Sequence, residues 1–197
     1  MDEEITIIDS NTRNERIRNF FINNKKKLII TTSVILVIII GYLSFEKSKE
    51  KTKIKLANQY NLALMDLNPE NKQKKIDEMV NIIKSNDATY SPLALYHLLD
   101  NNLLENNDEI NILFNELIEK TNLENEIKNL IIYKKALFNS NFVTENNLLK
   151  ILNPIINSES IWKSHALYLL AEFFYSKNEK QKAKEFFNQI LILSNSN

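Results

Sequence analysis

The two histidines are the side chains of this sequence that would most readily bind a metal or transfer a proton near neutral pH. His97 and His165 fall in different predicted helices, and neither has a second ligand three or four positions away. Zinc and di-metal sites on helices need such pairs. The sequence also has no cysteine, which removes thiolate zinc sites and cysteine nucleophiles. We therefore interpret both as ordinary surface or core histidines.

Other catalytic chemistry has no matching pattern. The one glycine, Gly41, lies in an apolar run, so neither a nucleophile elbow nor a phosphate-binding loop is expected. Carboxylates such as Glu124 and Glu126 alternate with lysines and asparagines, as on a solvated helix face. Lys+Arg and Asp+Glu number 25 each, so net charge does not indicate a nucleic-acid partner. We expect a non-enzymatic protein with no metal, no cofactor and no small-molecule substrate.

Two predicted helices near the C-terminus, residues 160–177 and 179–194, carry the pattern of a tetratricopeptide hairpin, counted from Ser164 as its first position. Asn178 stands at the turn, where asparagine is the next best residue after glycine for a left-handed conformation. Two alanines would let the helices approach closely, with phenylalanines filling the space beside them. The predicted packing residues are Leu167, Leu170, Ala171 and Phe174 in the first helix, and Ala183, Phe187 and Ile190 in the second.

The first helix of this hairpin also carries a polar-aromatic row on the positions that face a ligand in tetratricopeptide hairpins. The row consists of His165, Tyr168, Glu172 and Tyr175. Amphipathic aromatic side chains at such positions suit the binding of a peptide or a protein partner. The alternative is that the row packs against the preceding hairpin.

The end of the sequence adds two candidate contacts. Residues 190–193 are apolar on every side of the predicted helix, and the sequence ends soon after, at Asn197. Repeat arrays usually finish with a polar capping helix, because the last hairpin otherwise exposes apolar surface. We expect either that the domain folds back over this run, or that a partner or second copy covers it. Phe186 and Leu193 are therefore candidate partner-binding residues.

The elements that position these residues are predicted to be helices throughout. One glycine and three prolines leave little for tight β-hairpins, and apolar residues recur every three to four positions. The predicted fold class is all-α: one transmembrane helix followed by a tetratricopeptide-like array of antiparallel helical hairpins. Six further helices are predicted between the apolar run and the hairpin. The first ends at Asn68-Pro69, the second includes Ile76–Ile83, and the third begins at Ser91 as N-cap. The fourth begins at Asn107 or Asp108, the fifth spans Leu123–Asn139, and the sixth spans Thr144–Leu152 and stops before Pro154.

Leu28 to Phe45 form an uncharged run of 18 residues, centred near Val37. A helix of that length spans about 27 Å, close to the thickness of a bilayer core. A cleavable signal peptide is the main alternative, but the run ends in Gly41-Tyr42-Leu43-Ser44-Phe45, which is too bulky for a cleavage site. We predict an uncleaved anchor, which divides the chain into a basic cytoplasmic tail (1–27), a transmembrane helix (28–45) and a helical domain (46–197).

The flanking charges favour a cytoplasmic N-terminus only slightly. Arg13, Arg16, Arg18 and Lys25–Lys27 make six positive charges before the run, whereas five lysines follow it between residues 47 and 55. The three lysines that abut the run add to this preference. Ile17, Phe20 and Phe21 recur at helical spacing among the arginines, which indicates either an amphipathic helix at the cytoplasmic interface or a solvated tail.

The order of elements resembles the YfgM family. The local resemblance lies in RNFF (Arg18–Phe21), in ATYSPLALYHLLDNNLLE (Ala88–Glu105) and in YLLAEFFYSKNEKQKAKEFF (Tyr168–Phe187). The resemblance implies an ancillary subunit of the bacterial Sec translocon, anchored in a gram-negative inner membrane with a periplasmic domain. It also implies contacts with the Sec channel and with a membrane-anchored periplasmic chaperone of the PpiD type. The helical domain of this chain is shorter than that of the family, and its middle hairpins match the tetratricopeptide repeat poorly.

Two other functions fit the same sequence. The chain would serve either as a scaffold for another envelope complex, or as a regulatory anchor that acts through its cytoplasmic tail. The tail hypothesis places the function in residues 1–27 and the adaptor hypothesis in 46–197, so deletion of the tail separates them.

The predicted topology is testable by cysteine labelling, because the native sequence has no cysteine. Ser10→Cys and Ser176→Cys each introduce one label site. An impermeant maleimide, applied to cells with a permeable outer membrane, should modify position 176 and leave position 10 protected. The reverse pattern would contradict the orientation, and labelling of both positions would contradict the membrane span.

Overall fold

The structure, a computed structural model, describes residues 2–65 and 70–195, with side chains for residues 13–65 and 70–193. In these ranges the chain forms nine α-helices and no strand, which confirms the all-helical prediction. The predicted helix end at Asn68-Pro69 lies outside the described residues. The helices are α1 (Asp2–Asn23), α2 (Lys25–Leu64), α3 (Lys72–Lys84), α4 (Tyr90–Asp100), α5 (Asn107–Lys120), α6 (Asn125–Asn139), α7 (Glu145–Ile156), α8 (Lys163–Ser176) and α9 (Lys180–Asn195).

The chain divides into two compact units, Met1–Ile54 and Lys55–Asn197. In the N-terminal unit, helical hydrogen bonds continue from α1 into α2. The Asn24 N–H donates to the Phe20 carbonyl at 3.0 Å, and the Leu28 N–H donates to the Asn24 carbonyl at 2.9 Å. Within the described residues, α2 is the one helix long and apolar enough to cross a membrane. The apolar side chains of its segment 29–45 are exposed, with Val37 at 68%, as a lipid-facing helix requires.

The core of the C-terminal unit, in the residues described, comprises two apolar clusters that share α6. The first cluster gathers side chains from the end of α2 and from α3, α4 and α5, together with Ile131 of α6. The second gathers Ile132 and Ala136 of α6 with side chains of α7, α8 and α9. Adjacent residues of a helix point about 100° apart. Ile131 and Ile132 can therefore serve different clusters and join the two halves of the unit.

The helices of this unit contact their neighbours along the chain, and two helices reach further. Contacts join α3 to α4, α4 to α5, α5 to α6, α6 to α7, α7 to α8, and α8 to α9. In addition, α3 contacts α5, and α6 contacts α8. Most of the contacts are therefore local in sequence, as short connections between successive helices require.

The predicted end of the sixth domain helix before Pro154 is wrong. Helix α7 continues to Ile156 with Pro154 inside it. Proline has no N–H to donate to the carbonyl four residues earlier, which normally weakens or ends a helix. Here Leu152 and Ile155, on either side of the proline, are fully buried in the second cluster. Their burial offsets the lost hydrogen bond.

The predicted N-cap at Ser91 is also wrong. Helix α4 begins at Tyr90, and the carboxylate of Asp87 accepts hydrogen bonds from the N–H groups of Thr89 (2.9 Å) and Tyr90 (2.7 Å). Ser91 is buried instead, and its hydroxyl donates to the Ile82 carbonyl of α3 at 2.7 Å. Ser91 thus joins α3 to α4, while the acidic residue four positions earlier caps the helix.

Asparagine provides the left-handed residues of this nearly glycine-free chain. In the described residues, the non-glycine positions with positive φ are Asn86, Asn102 and Asn178, each just after a helix. Asn178 has a φ of 64°, which confirms its predicted place in the turn. The Glu179 N–H then donates to the Phe174 carbonyl at 2.9 Å, which closes the end of α8.

The turn between α8 and α9 gives a stability prediction. Asn178→Ala should lower the free energy of unfolding by about 1 kcal/mol, because alanine lacks the short polar side chain whose local hydrogen bonds let asparagine adopt a positive φ. Asn178→Gly should equal or exceed the native stability. Urea unfolding of the full chain in neutral detergent, followed by the emission of the single tryptophan, Trp162, measures both. Equal midpoints for the two variants would contradict the assigned turn.

Candidate partner-binding surface on helix α8

Helix α8 is packed on most of its circumference. Contacts with α6, α7 and α9 bury its apolar and small side chains. This buried set comprises Ala166, Leu167, Leu169, Leu170, Ala171, Phe173 and Phe174. Five of the predicted packing residues, Leu167, Leu170, Ala171, Phe174 and Ala183, are at most 1% exposed. The Ala183 side chain on α9 faces this packed side, so little more than one strip of α8 remains open.

The open strip of α8 holds the polar-aromatic row. His165, Tyr168, Glu172 and Tyr175 are all exposed, Tyr168 at 50% and Tyr175 at 62%. Their spacing of three, four and three places them along one side of the helix. The row therefore lies opposite the packed side, where aromatic and acidic side chains are accessible to another molecule.

An aromatic cluster at the start of α8 extends this strip. Tyr133 of α6 stacks on Trp162, with ring centroids 5.9 Å apart, and His165 packs edge-on against Tyr133 at 6.0 Å. The rings of Trp162 and His165 are 5.3 Å apart. His165 thus contacts the preceding helix pair, as the alternative interpretation of the row expected, whereas no ring contact of Tyr175 is found among the described residues.

Tyr133 and Trp162 are not among the candidate partner-binding residues predicted from the sequence. Trp162 stands three positions before His165, so the helical spacing of the row already extends back to it. Trp162 precedes Ser164, the first position of the tetratricopeptide pattern, so that pattern does not include it. Tyr133 lies on another helix, about 30 residues earlier, and no spacing along one sequence identifies such a neighbour.

Glu172 is the electrostatic centre of the strip. A hydrogen bond from the Tyr168 hydroxyl to the Glu172 carboxylate, together with its negative charge, raises the pKa of Tyr168. Burial and the charge of Glu172 raise the pKa of Tyr133. The charge of Glu172 therefore acts on phenol groups of both α6 and α8.

The structure places Phe186 deeper and Phe187 nearer the surface than their predicted roles require. Phe186, expected to contact a partner, is half-buried and stacks on Phe174 with centroids 5.4 Å apart. Phe187, expected to fill the hairpin, is 37% exposed and packs edge-on against Tyr168 at 5.9 Å. The reason is the rotation of α9. Ala183 and Phe186 are one turn apart and face α8 together, which turns Phe187 towards the row.

The apolar end of α9 has one side towards α8. Ile190 and Leu193 are half-buried, whereas Leu191 and Ile192 are 59% and 67% exposed. A shallow groove beside Leu193 is lined by Lys163, Leu167, Gln189, Ile192 and Leu193. The end of α9 is thus only partly covered within the described residues.

Charged residues tie α9 to α7 beside the hairpin. The Lys182 ammonium lies 2.8 Å from carboxylate oxygens of both Glu145 and Glu179. The same ammonium lies 5.0 Å from the centre of the Phe174 ring. The Lys182–Glu145 pair connects α9 to α7, and because both pairs are largely exposed, their contribution to stability is small.

The described residues include no group of three or more His, Asp or Glu side chains arranged to hold a metal ion. His97 and His165 lie on α4 and α8, each in a different setting: His97 contacts Asn101, and His165 belongs to the aromatic cluster.

No protein-family model matches the sequence, and no curated protein or solved structure is significantly similar to it.

The packed side of α8 gives a second stability prediction. Ala183→Glu should lower the free energy of unfolding by several kcal/mol, because it places a carboxylate without a partner where the side chain is 1% exposed. Asn188→Glu is the matched control: it adds the same side chain at an exposed position of α9 and should change stability by less than about 0.5 kcal/mol. Equal urea midpoints for the two variants would contradict the packing of α9.

Proposed function

We propose that the chain is a non-enzymatic, membrane-anchored adaptor that binds other proteins through the polar-aromatic row on α8. The observation that carries the proposal is the division of α8 into a packed side and an exposed side that holds His165, Tyr168, Glu172 and Tyr175. Tyrosines with large exposed area bind partners well, because their rings give contact area at a low cost in side-chain entropy.

The apolar segment of α2 supports the anchoring part of the proposal. A protein held in a membrane meets partners in that membrane at high effective concentration, so a modest docking surface is enough. Four exposed side chains on one helix would then suffice for binding. A large apolar interface, of the kind that soluble obligate complexes need, is not required.

The family resemblance in RNFF and in the two domain segments supports particular partners. We propose that α2 contacts the Sec channel, and that the row binds a PpiD-like periplasmic chaperone. The anchor would then lie in a gram-negative inner membrane, with the N-terminus in the cytoplasm and a tetratricopeptide-like domain in the periplasm. Such an adaptor would assist the transfer of exported chains from channel to chaperone.

In-cell photo-crosslinking tests this function. Crosslinking amino acids at Tyr175 and at Val37 should give different products, a periplasmic chaperone at position 175 and a channel subunit at position 37. Ile112, 62% exposed on α5, is the matched control on the C-terminal unit and should give no chaperone product. The chaperone product should also weaken when Tyr168→Ala is added, because that change removes a neighbouring ring from the row.

Each alternative function predicts a different result. A product at position 37 other than a channel subunit would contradict the Sec assignment and support a scaffold for another envelope complex. Loss of function on deletion of residues 1–27, with position 175 crosslinking to nothing, would contradict the adaptor and support regulation through the tail.

A further inference from the structure

We infer that the polar-aromatic row recognises a basic side chain, arginine or lysine, of its partner protein, with Glu172 as the ion-pairing group and Tyr168 as the ring beneath the cation. This inference rests on the proposed function and specifies the chemistry of the segment that the row binds.

The first observation is that Glu172 has no ion-pair partner among the described residues. Four carboxylates of the unit do have such a partner, among them Glu145 and Glu179, which pair with Lys182, and Glu116, which pairs with Lys120 at 2.8 Å. Glu172 is exposed on α8, one turn after Tyr168. A negative charge on the proposed docking surface thus remains available to a cation from outside.

The second observation is the aromatic setting of this carboxylate. Tyr168 stands four residues before Glu172 on α8, so the two side chains are neighbours on one side of the helix, and half of the tyrosine stays exposed. The electron-rich face of an aromatic ring attracts an ammonium or guanidinium group, and the long stem of such a side chain packs on the ring. The carboxylate can therefore pair with the charged group of an arginine or lysine, while the neighbouring tyrosine ring contacts the charged group and the stem of the same side chain.

The third observation identifies what flanks the basic residue. Phe187 of α9 packs edge-on against Tyr168, so an exposed apolar ring lies directly beside the cation-binding position. A partner segment with an apolar side chain next to the basic one would cover Phe187 while it pairs with Glu172. An acidic segment would be repelled by Glu172, and a purely apolar segment would desolvate the carboxylate without compensation.

Synthetic peptides test this chemistry on the full chain in maltoside micelles. The probe is a coumarin-labelled pentapeptide amide of sequence Leu-Arg-Leu-Arg-Leu, and its controls replace both arginines by glutamine or by glutamate. Fluorescence anisotropy should show the weakest binding, and thus the largest dissociation constant, for the glutamate peptide. The arginine peptide should bind about fivefold more tightly than the glutamine peptide, which corresponds to the upper end of the range for one exposed ion pair.

The matched variants are Glu172→Gln and Glu185→Gln, the second removing an exposed carboxylate of α9 outside the row. Glu172→Gln should lower the affinity for the arginine peptide about fivefold and leave the affinity for the glutamine peptide unchanged. Glu185→Gln should change neither. An unchanged emission spectrum of Trp162 in both variants would show that the aromatic cluster at the start of α8 is intact.

Equal affinity for the arginine and glutamine peptides, equal effects of the two variants, or no peptide binding up to millimolar concentration would overturn the inference. The proposed function has a separate readout, since crosslinking at Tyr175 does not depend on a basic residue in the partner. A chaperone crosslink that persists in Glu172→Lys would support the adaptor and overturn basic-residue recognition. Loss of that crosslink in Glu172→Lys, with retention in Glu185→Lys, would support both.

Discussion

The packing of α8 between α6, α7 and α9 is the constraint on which the rest of the C-terminal unit depends. Ala166 and Ala171 on α8 and Ala183 on α9 are almost completely buried. Small side chains let helix backbones approach closely, and Phe174 and Phe186 then stack in the space beside them. A helix held on several sides has one strip left for other molecules, and its residues are held in a rigid arrangement.

Helix α6 extends this constraint to the other half of the unit. Ile131 belongs to the first apolar cluster and Ile132 to the second, so the two clusters share one rigid element. The same helix supplies Tyr133, which stacks on Trp162 at the start of α8. The position of the aromatic cluster is therefore set by core packing. A partner that contacts Trp162 or His165 would meet a surface that is ordered before binding, which lowers the entropy lost in the complex.

The exposed strip of α8 combines aromatic, polar and acidic side chains. Its members are two tyrosines, a histidine and a glutamate. Such groups provide contact area, hydrogen bonds and one charge, which are the components of a specific but modest binding surface. Together with a helix apolar enough to cross a membrane, this surface is suited to a partner that shares the same membrane.

Local patterns in the sequence determined the helical class, the apolar run, the left-handed Asn178 and the burial of Leu170, Ala171 and Phe174. Each of these depends on composition or on helical spacing within one segment, which is visible without knowledge of the rest of the chain. Tertiary structure alone decided the burial of Ser91, the continuation of α7 through Pro154, and which of Phe186 and Phe187 faces the core. It also brought Tyr133 to Trp162. These features depend on contacts between helices, where burial outweighs a local signal such as proline, and where a small rotation of one helix exchanges two adjacent side chains.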